Sequence, residues 1–355
     1  MEKGKSQVDK YNLHKRRKAL LAICLFAVLL LLTVLSMLVG QYGLSPIETL
    51  RILTGSRSAS TSEIQTISSI ILNIRLPRTL AAIIIGGALA VAGITYQCVF
   101  RNILVSQDVL GVSTGSCTGA AIAIVLDLSA IYIQGFSFIT GIFTVVLVFL
   151  LSKSIRTERT LSLILSGILI SGLMASVLGY IKYMANPETH LQSIVFWTMG
   201  DLSSVKMSQI YQIVIPMAIC FLLIYFNRWK LNFFCYSDNE ATNLGFNIKG
   251  YRLMFLVCST VMVSLAVSVS GSIGWIGLVI PQLVRTIVGT DNTDTVGVSF
   301  IMGANFLLFM DLVNRIISAA ELPVSILTGL VGTPIFVICL LLKQRGDKLA
   351  SYDKG

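Results

Sequence analysis

Apolar residues along this chain gather in runs of about 20, the length that carries a helix across a hydrocarbon core, with short polar connectors between them. The runs predict helices near 19 to 39, 79 to 99, 109 to 127, 133 to 152, 161 to 184, 208 to 227, 251 to 271, 273 to 289, 296 to 317 and 324 to 343. The first run is too long for the apolar region of a cleaved signal peptide and no clean small-residue cleavage site follows it, so it reads as a retained helix. No connector is long enough to fold as a soluble catalytic domain. The pattern therefore predicts an all-α polytopic membrane domain of ten helices over 19–345. A basic tail over 1–18 and a short tail over 346–355 flank it.

Composition agrees: of 355 residues 55% are hydrophobic and only 12% charged. Charge then sets the orientation. Lys15, Arg16, Arg17 and Lys18 precede the first helix, Arg101 follows the second, and Lys153, Arg156 and Arg159 follow the fourth. Arg228, Lys230, Lys249 and Arg252 lie between the sixth and seventh, and Lys343, Arg345 and Lys348 close the chain. With ten spans all of these fall on one side, which the positive-inside rule makes cytoplasmic along with both termini. The net charge of +10 is then mostly topological bias, the remainder resting against anionic headgroups, and needs no nucleic acid.

Against that orientation, Arg75 and Arg78 in Arg75-Leu-Pro-Arg78 fall on the outside, where basic residues are scarce and a pair of them points to a partner or substrate. Asp311 and Arg315, four apart in the ninth helix, can pair on one face, or Arg315 can join the outer basic rim. The second helix carries Ala82, Gly86 and Ala90, and the third Gly111, Gly115, Gly119 and Ala123, a small-residue spacing that lets helices approach closely. In the fifth helix the small residues include Ser166, Ser171 and Ser176, which read as lining a wide polar path. The eighth helix, with Gly271, Gly274 and Gly277 leading into Pro281, reads as short and kinked or broken.

Chemistry is sparse. Seven cysteines stand singly and read as packing residues, with no metal or disulfide spacing. Neither histidine has a carboxylate or thiol at ligand spacing, and His190 reads as a solvated loop residue. Gly4-Lys5-Ser6 resembles the end of a phosphate loop, but nothing upstream could supply the strand and glycine-rich turn. No catalytic set suggests an intramembrane enzyme. The scarcity of ionisable groups in the central turns also argues against an ion-coupled carrier, whose coupling energy enters at such groups. Energy has to come from a partner or a gradient.

The order Arg75-Leu-Pro-Arg78-Thr-Leu-Ala, Gly86-Gly-Ala-Leu-Ala, Gln97, Arg101-Asn102 and Asp108-Val-Leu-Gly-Val-Ser113 resembles the permease subunits of ATP-binding-cassette importers for iron-siderophores, haem and cobalamin. Leu165-Ser-Gly167, Phe196-Trp-Thr-Met-Gly200, Gly274-Trp-Ile-Gly-Leu-Val-Ile-Pro281, Glu321-Leu-Pro323 and Gly332-Thr-Pro334 continue the resemblance, which spans about 70 to 345. Two departures stand out: Gln282 where the family commonly has histidine, and Ile103-Leu-Val-Ser-Gln107 where it often has Pro-Leu.

The resemblance implies a type II importer permease that pairs with a second copy or a homologous permease. Two ATP-binding subunits, which hold the ATP and Mg, and an extracytoplasmic binding protein would complete the complex, with no cofactor or metal in this chain. It implies that Arg75, Arg78 and Arg315 receive acidic residues of the binding protein, where the planar guanidinium fork suits oriented, reversible docking. It further implies that Asp238, Glu240, Ala241 and Gly245 belong to a coupling loop seated on the ATPase. The cargo implied is a metal chelate, ferric siderophore first and haem or cobalamin next, although similar chains serve oxyanions such as molybdate.

Overall fold

In a bilayer every backbone N–H and C=O must find its partner within the chain, and helices do this locally. The computed structural model describes residues 2–40, 67–155, 157–317 and 322–352, with side chains over 16–40, 67–155, 157–317 and 322–342, and among these no strand occurs. Glu321, Arg156, most of the connector between the first two helices, and the side chains of Gly4-Lys5-Ser6, Lys15, Lys343, Arg345 and Lys348 lie outside those residues. So do Met1, residues 353–355 and the remaining side chains of 2–15 and 343–352.

The helices, in chain order, are α1 Glu2–Leu38, α2 Leu76–Val99, α3 Val112–Val125, α4 Ala130–Ser154, α5 Arg159–Met184, α6 His190–Met199, α7 Met207–Phe226, α8 Asp238–Asn243, α9 Ile248–Ser270, α10 Ile276–Val288, α11 Asn292–Ile317 and α12 Val324–Tyr352. Eight of them (α1, α2, α4, α5, α7, α9, α11 and α12) are long and apolar enough to cross a membrane. The third and eighth expected spans are shorter: α3 has 14 residues and α10 has 13, about 20 Å each against a core of about 30 Å. Left-handed Gly111 (φ 70°) starts α3 late, and the glycine-rich run 271–275 delays α10. The expected irregular eighth helix is thus found. Its entry turns on Trp275, whose φ of 71° is a strained value for a bulky side chain. Gly329 and Gly332 of α12 leave room for it: a Cβ on either would lie 3.2 Å from a Trp275 atom.

The second helix begins a dozen residues before its expected start, as one apolar element over Ile67–Val99. Pro77 has no N–H for a normal α-bond, and the preceding turn, Ile70–Arg75, widens to π-helix, with the Leu76 amide donating to the Ile71 carbonyl. Arg75 and Arg78 consequently sit within a continuous helix instead of at its mouth.

The centre of the bundle is α2 and α9, whose most apolar stretches are 83% and 78% buried, against 17–33% for α1, α4, α5, α7 and α12. Around them α2 packs on α11 and α10, α3 on α4 and α5, α1 on α11, and α12 on α10. The small-residue stripes act as packing surfaces. A Cβ on Gly86 would lie 2.4 Å from the Gly303 carbonyl oxygen, and one on Gly93 would lie 2.0 Å from that of Gly277, so α2 touches α11 and α10 backbone to backbone. On α3, Gly115 and Gly119 similarly receive Thr144 and Thr140 of α4.

Candidate functional sites

Each end of the bundle carries a cluster of polar side chains. At the first, the last turn of α1 leaves carbonyls that no intrahelical N–H can reach, and cations at a helix C-terminus are favoured. Arg75 supplies Nη1 to Met37 O at 2.7 Å and Leu38 O at 3.0 Å, and Arg315 supplies Nη1 to Ser36 O at 2.9 Å. Gly40 makes room for the first of these, since a Cβ there would be 2.6 Å from Arg75 Nη2. Asp311 links Arg315 to Arg78: Arg78 Nε donates to Oδ1 at 2.6 Å and Arg315 Nη2 donates to Oδ2.

The structure thus brings together the three arginines that the sequence grouped, and the expected Asp311–Arg315 pair forms. It also buries them. Arg75, Arg78 and Arg315 are 4%, 3% and 8% exposed and Asp311 is 0%, so the cluster ties α1, α2 and α11 together and does not form an open rim. The role of Asp311 as partner to Arg78, 233 residues away, was not readable from i, i+4 spacing.

At the other end, Ser237 caps α8 in a reciprocal pair: its amide donates to Glu240 Oε2 at 2.9 Å, and Glu240 N donates to Ser237 Oγ at 3.3 Å. Ala241 is fully buried. Gly245, at φ 78°, ends the helix in the left-handed turn that only glycine enters without cost, and Phe246 N returns to Ala241 O at 3.0 Å. Phe246 then stacks between Phe233 and Tyr251, with ring centroids at 4.5 and 4.9 Å, which fixes α8 to the 3₁₀ turn Arg228–Cys235 and to the start of α9.

Asp238 is the electrostatic anchor here. Arg252 grips both its oxygens, at 2.8 and 2.9 Å, and Arg101 Nη2 reaches Oδ1 at 2.9 Å. The Arg252 bonds, ahead of the opposing effect of desolvation, hold the Asp238 carboxyl below the usual carboxylate range. The Ser237 amide does the same for exposed Glu240. The sequence offers Arg101 as a topological charge and a motif residue and Arg252 as a topological charge; their convergence on Asp238 is not readable from it, although their shared side is a signal. Lys18–Asp294 at 2.7 Å and Arg228 Nε on Thr293 O at 2.6 Å lie at this end too, so basic residues that the connector count assigned to one side do gather there.

The three α5 serines do not share a face, since five-residue steps rotate each by about 140° from the last. Ser166 is buried, its Oγ without a hydrogen-bond partner among the described residues, Ser171 faces Thr114 at 3.4 Å, and Ser176 is exposed. A Cβ on Gly172 or Gly179 would meet nothing within 4 Å, which leaves that side of α5 bare.

Toward the α8 end, Gln282, the residue that departs from the family's histidine, donates Nε2 to Gln97 Oε1 at 3.0 Å. Arg285 donates to the same oxygen at 2.6 Å, joining α10 to α2. His190 is less isolated than its sequence neighbours suggested, with Nε2 2.9 Å from Asp127 Oδ1. Among the described residues no group of three His, Cys, Asp or Glu could hold a metal.

Comparison with known proteins agrees over most of the chain. Residues 28–343 match the FecCD transport family. The molybdate import system permease protein MolB of Haemophilus influenzae is 35% identical over 91% of this chain and 96% of its own length. The hemin transport system permease protein HmuU of Yersinia pestis is 34% identical over 78% and 84%. A solved inward-facing structure assigned to the metal-chelate type of ABC transporter superposes with a TM-score of 0.80 at 31% identity, covering 91% of this chain and 99% of that one.

Proposed function

The chain belongs to the FecCD transport family and is an importer permease of the ABC type, and from that premise we propose that it translocates a metal chelate, ferric siderophore first, with haem or cobalamin next. The observation that carries the reading is the match over nearly the whole membrane domain, together with the scarcity of ionisable groups in the central turns of the helices. A bulky complex crosses more readily between walls that hold it loosely. Molybdate is the second reading, favoured by the MolB relative that this chain covers almost completely.

A second permease, the same chain or a homologue, would face the bare side of α5, with Ser171 and Ser176 beside the path and Ser166 behind it. Two ATPase subunits would seat α8, with Asp238, Glu240, Ala241 and Gly245 at the contact, and the Asp238–Arg252 grip would pass their closure to α9. Both termini would be cytoplasmic. At the opposite end the guanidinium groups of Arg75, Arg78 and Arg315 would draw an acidic residue of an extracytoplasmic binding protein.

Proteoliposomes holding this permease with its ATPase should take up one of ferric siderophore, haem, cobalamin or molybdate only when ATP is supplied. Uptake that persists without an ATPase overturns the reading in favour of a secondary carrier. For the docking end, binding-protein affinity should fall with salt and fall further in Arg75→Gln, provided that the variant elutes as folded protein. Salt-independent affinity, unaltered by the substitution, rejects docking there.

A further inference from the structure

A groove of about 950 Å³ opens between the end of α4 and the starts of α5 and α9, next to Arg252 and thus at the α8 end of the bundle. Its floor is apolar, and Leu150, Leu253 and Val257 in its lining are each about half exposed. Its rim is cationic: Lys153, Arg159 and Lys249 all line it, all are exposed, and none makes an ion pair among the described residues. The acid nearest in sequence, Glu158, precedes α5 without joining the lining. Arg252 contributes no spare charge, since Asp238 holds it. The cations come from two separate connectors, so the fold converges them on one mouth.

An apolar slot topped by fixed cations where helices leave the membrane complements a molecule with a hydrocarbon body and an anionic head. We infer that this groove is a site for one anionic phospholipid, its phosphate held by Lys153, Arg159 and Lys249 and an acyl chain lying over Leu150, Leu253 and Val257. The site rests on the helices crossing a membrane and is independent of which solute is carried. A lipid seated there bridges α4, α5 and α9, and so connects the bare α5 to the helix that leads out of the coupling segment.

Native mass spectrometry of the full chain in non-ionic detergent, titrated with phosphatidylglycerol or phosphatidylcholine, tests this. The chain should retain one phosphatidylglycerol in preference to phosphatidylcholine. The triple variant Lys153→Gln, Arg159→Gln, Lys249→Gln should weaken that retention roughly a hundredfold, the order expected for three basic residues at an anionic lipid surface. Removing two exposed cations elsewhere, with Arg16→Gln and Arg17→Gln, should leave it unchanged. Leu253→Trp fills the slot at constant charge and should also displace the lipid, which separates a built site from diffuse attraction. Equal retention of both lipids, or an unaltered triple variant, overturns the inference. A triple variant that keeps its lipid but loses self-association or ATPase binding overturns it too, and makes the groove a protein interface.

Discussion

Asp311 has no solvent contact and bonds two arginines that reach it from different helices. Removing one member of such a group strands charge in a dry setting, which costs about 3–5 kcal/mol, whereas replacing the whole group with apolar residues is often neutral. Asp311→Ala should therefore lower the unfolding temperature in detergent sharply, and the triple exchange Arg78→Met, Asp311→Leu, Arg315→Met should recover most of the loss. A small effect of Asp311→Ala would remove the structural role assigned to the cluster. Asp238 makes a pH-dependent contribution of known sign. Its folded pKa is depressed, so its stabilisation is complete above the unfolded value of about 3.9 and is lost as pH falls through the lower folded value. Hydrogen exchange at α8 should accelerate only in that acid range, and Asp238→Asn should abolish the pH step. At this scale the sequence singled out side chains more readily than it told what they touch. Arg75, Arg78 and Arg315 were legible as a set from charge and motif, but their burial was not, because it depends on where α1 ends in space.

Helix contacts give a sharper contrast. Gly93 and Gly172 are both mid-helix glycines, and by propensity alone alanine should stabilise each by up to about 1 kcal/mol. The surroundings differ: a methyl on Gly93 strikes the Gly277 carbonyl at 2.0 Å, while one on Gly172 meets nothing within 4 Å. Gly93→Ala should reduce folded yield and thermal stability. Gly172→Ala should leave the isolated chain intact and alter only transport or permease pairing, and two variants that behave alike would void the distinction. Packing stripes on α2 and α3 were legible because spacing of four is a property of the chain itself. The start of α2 was not, since polar Ser68, Ser69 and Asn73 dilute the apolar run and Pro77 suggests a boundary. In the structure the ladder passes both by widening for one turn.

For the molecule as a whole, hydropathy placed all ten apolar segments, and the structure finds helix at each. Two are too short to span as straight rods, a length that hydropathy windows of about 20 residues cannot resolve. Which end faces the cytoplasm is testable with a native residue. Cys235 is exposed, beside α8 in the 3₁₀ turn, whereas Cys117, Cys258 and Cys339 are buried. A membrane-impermeant maleimide should label Cys235 in inside-out vesicles and not in right-side-out vesicles, with Cys235→Ser removing the signal. Labelling from the outside would invert the proposed orientation.

The twin glycine contacts on α2 have a mechanical consequence. Where backbone meets backbone there is no side chain to re-rotamer, so α2, α10 and α11 cannot shear past one another without carbonyl oxygens colliding. Any conformational cycle should therefore carry these three helices as one block. Helix α5 is held in this way at its start alone, where a Cβ on Gly167 would lie 2.4 Å from the Val109 carbonyl oxygen, and it is bare along Gly172 and Gly179.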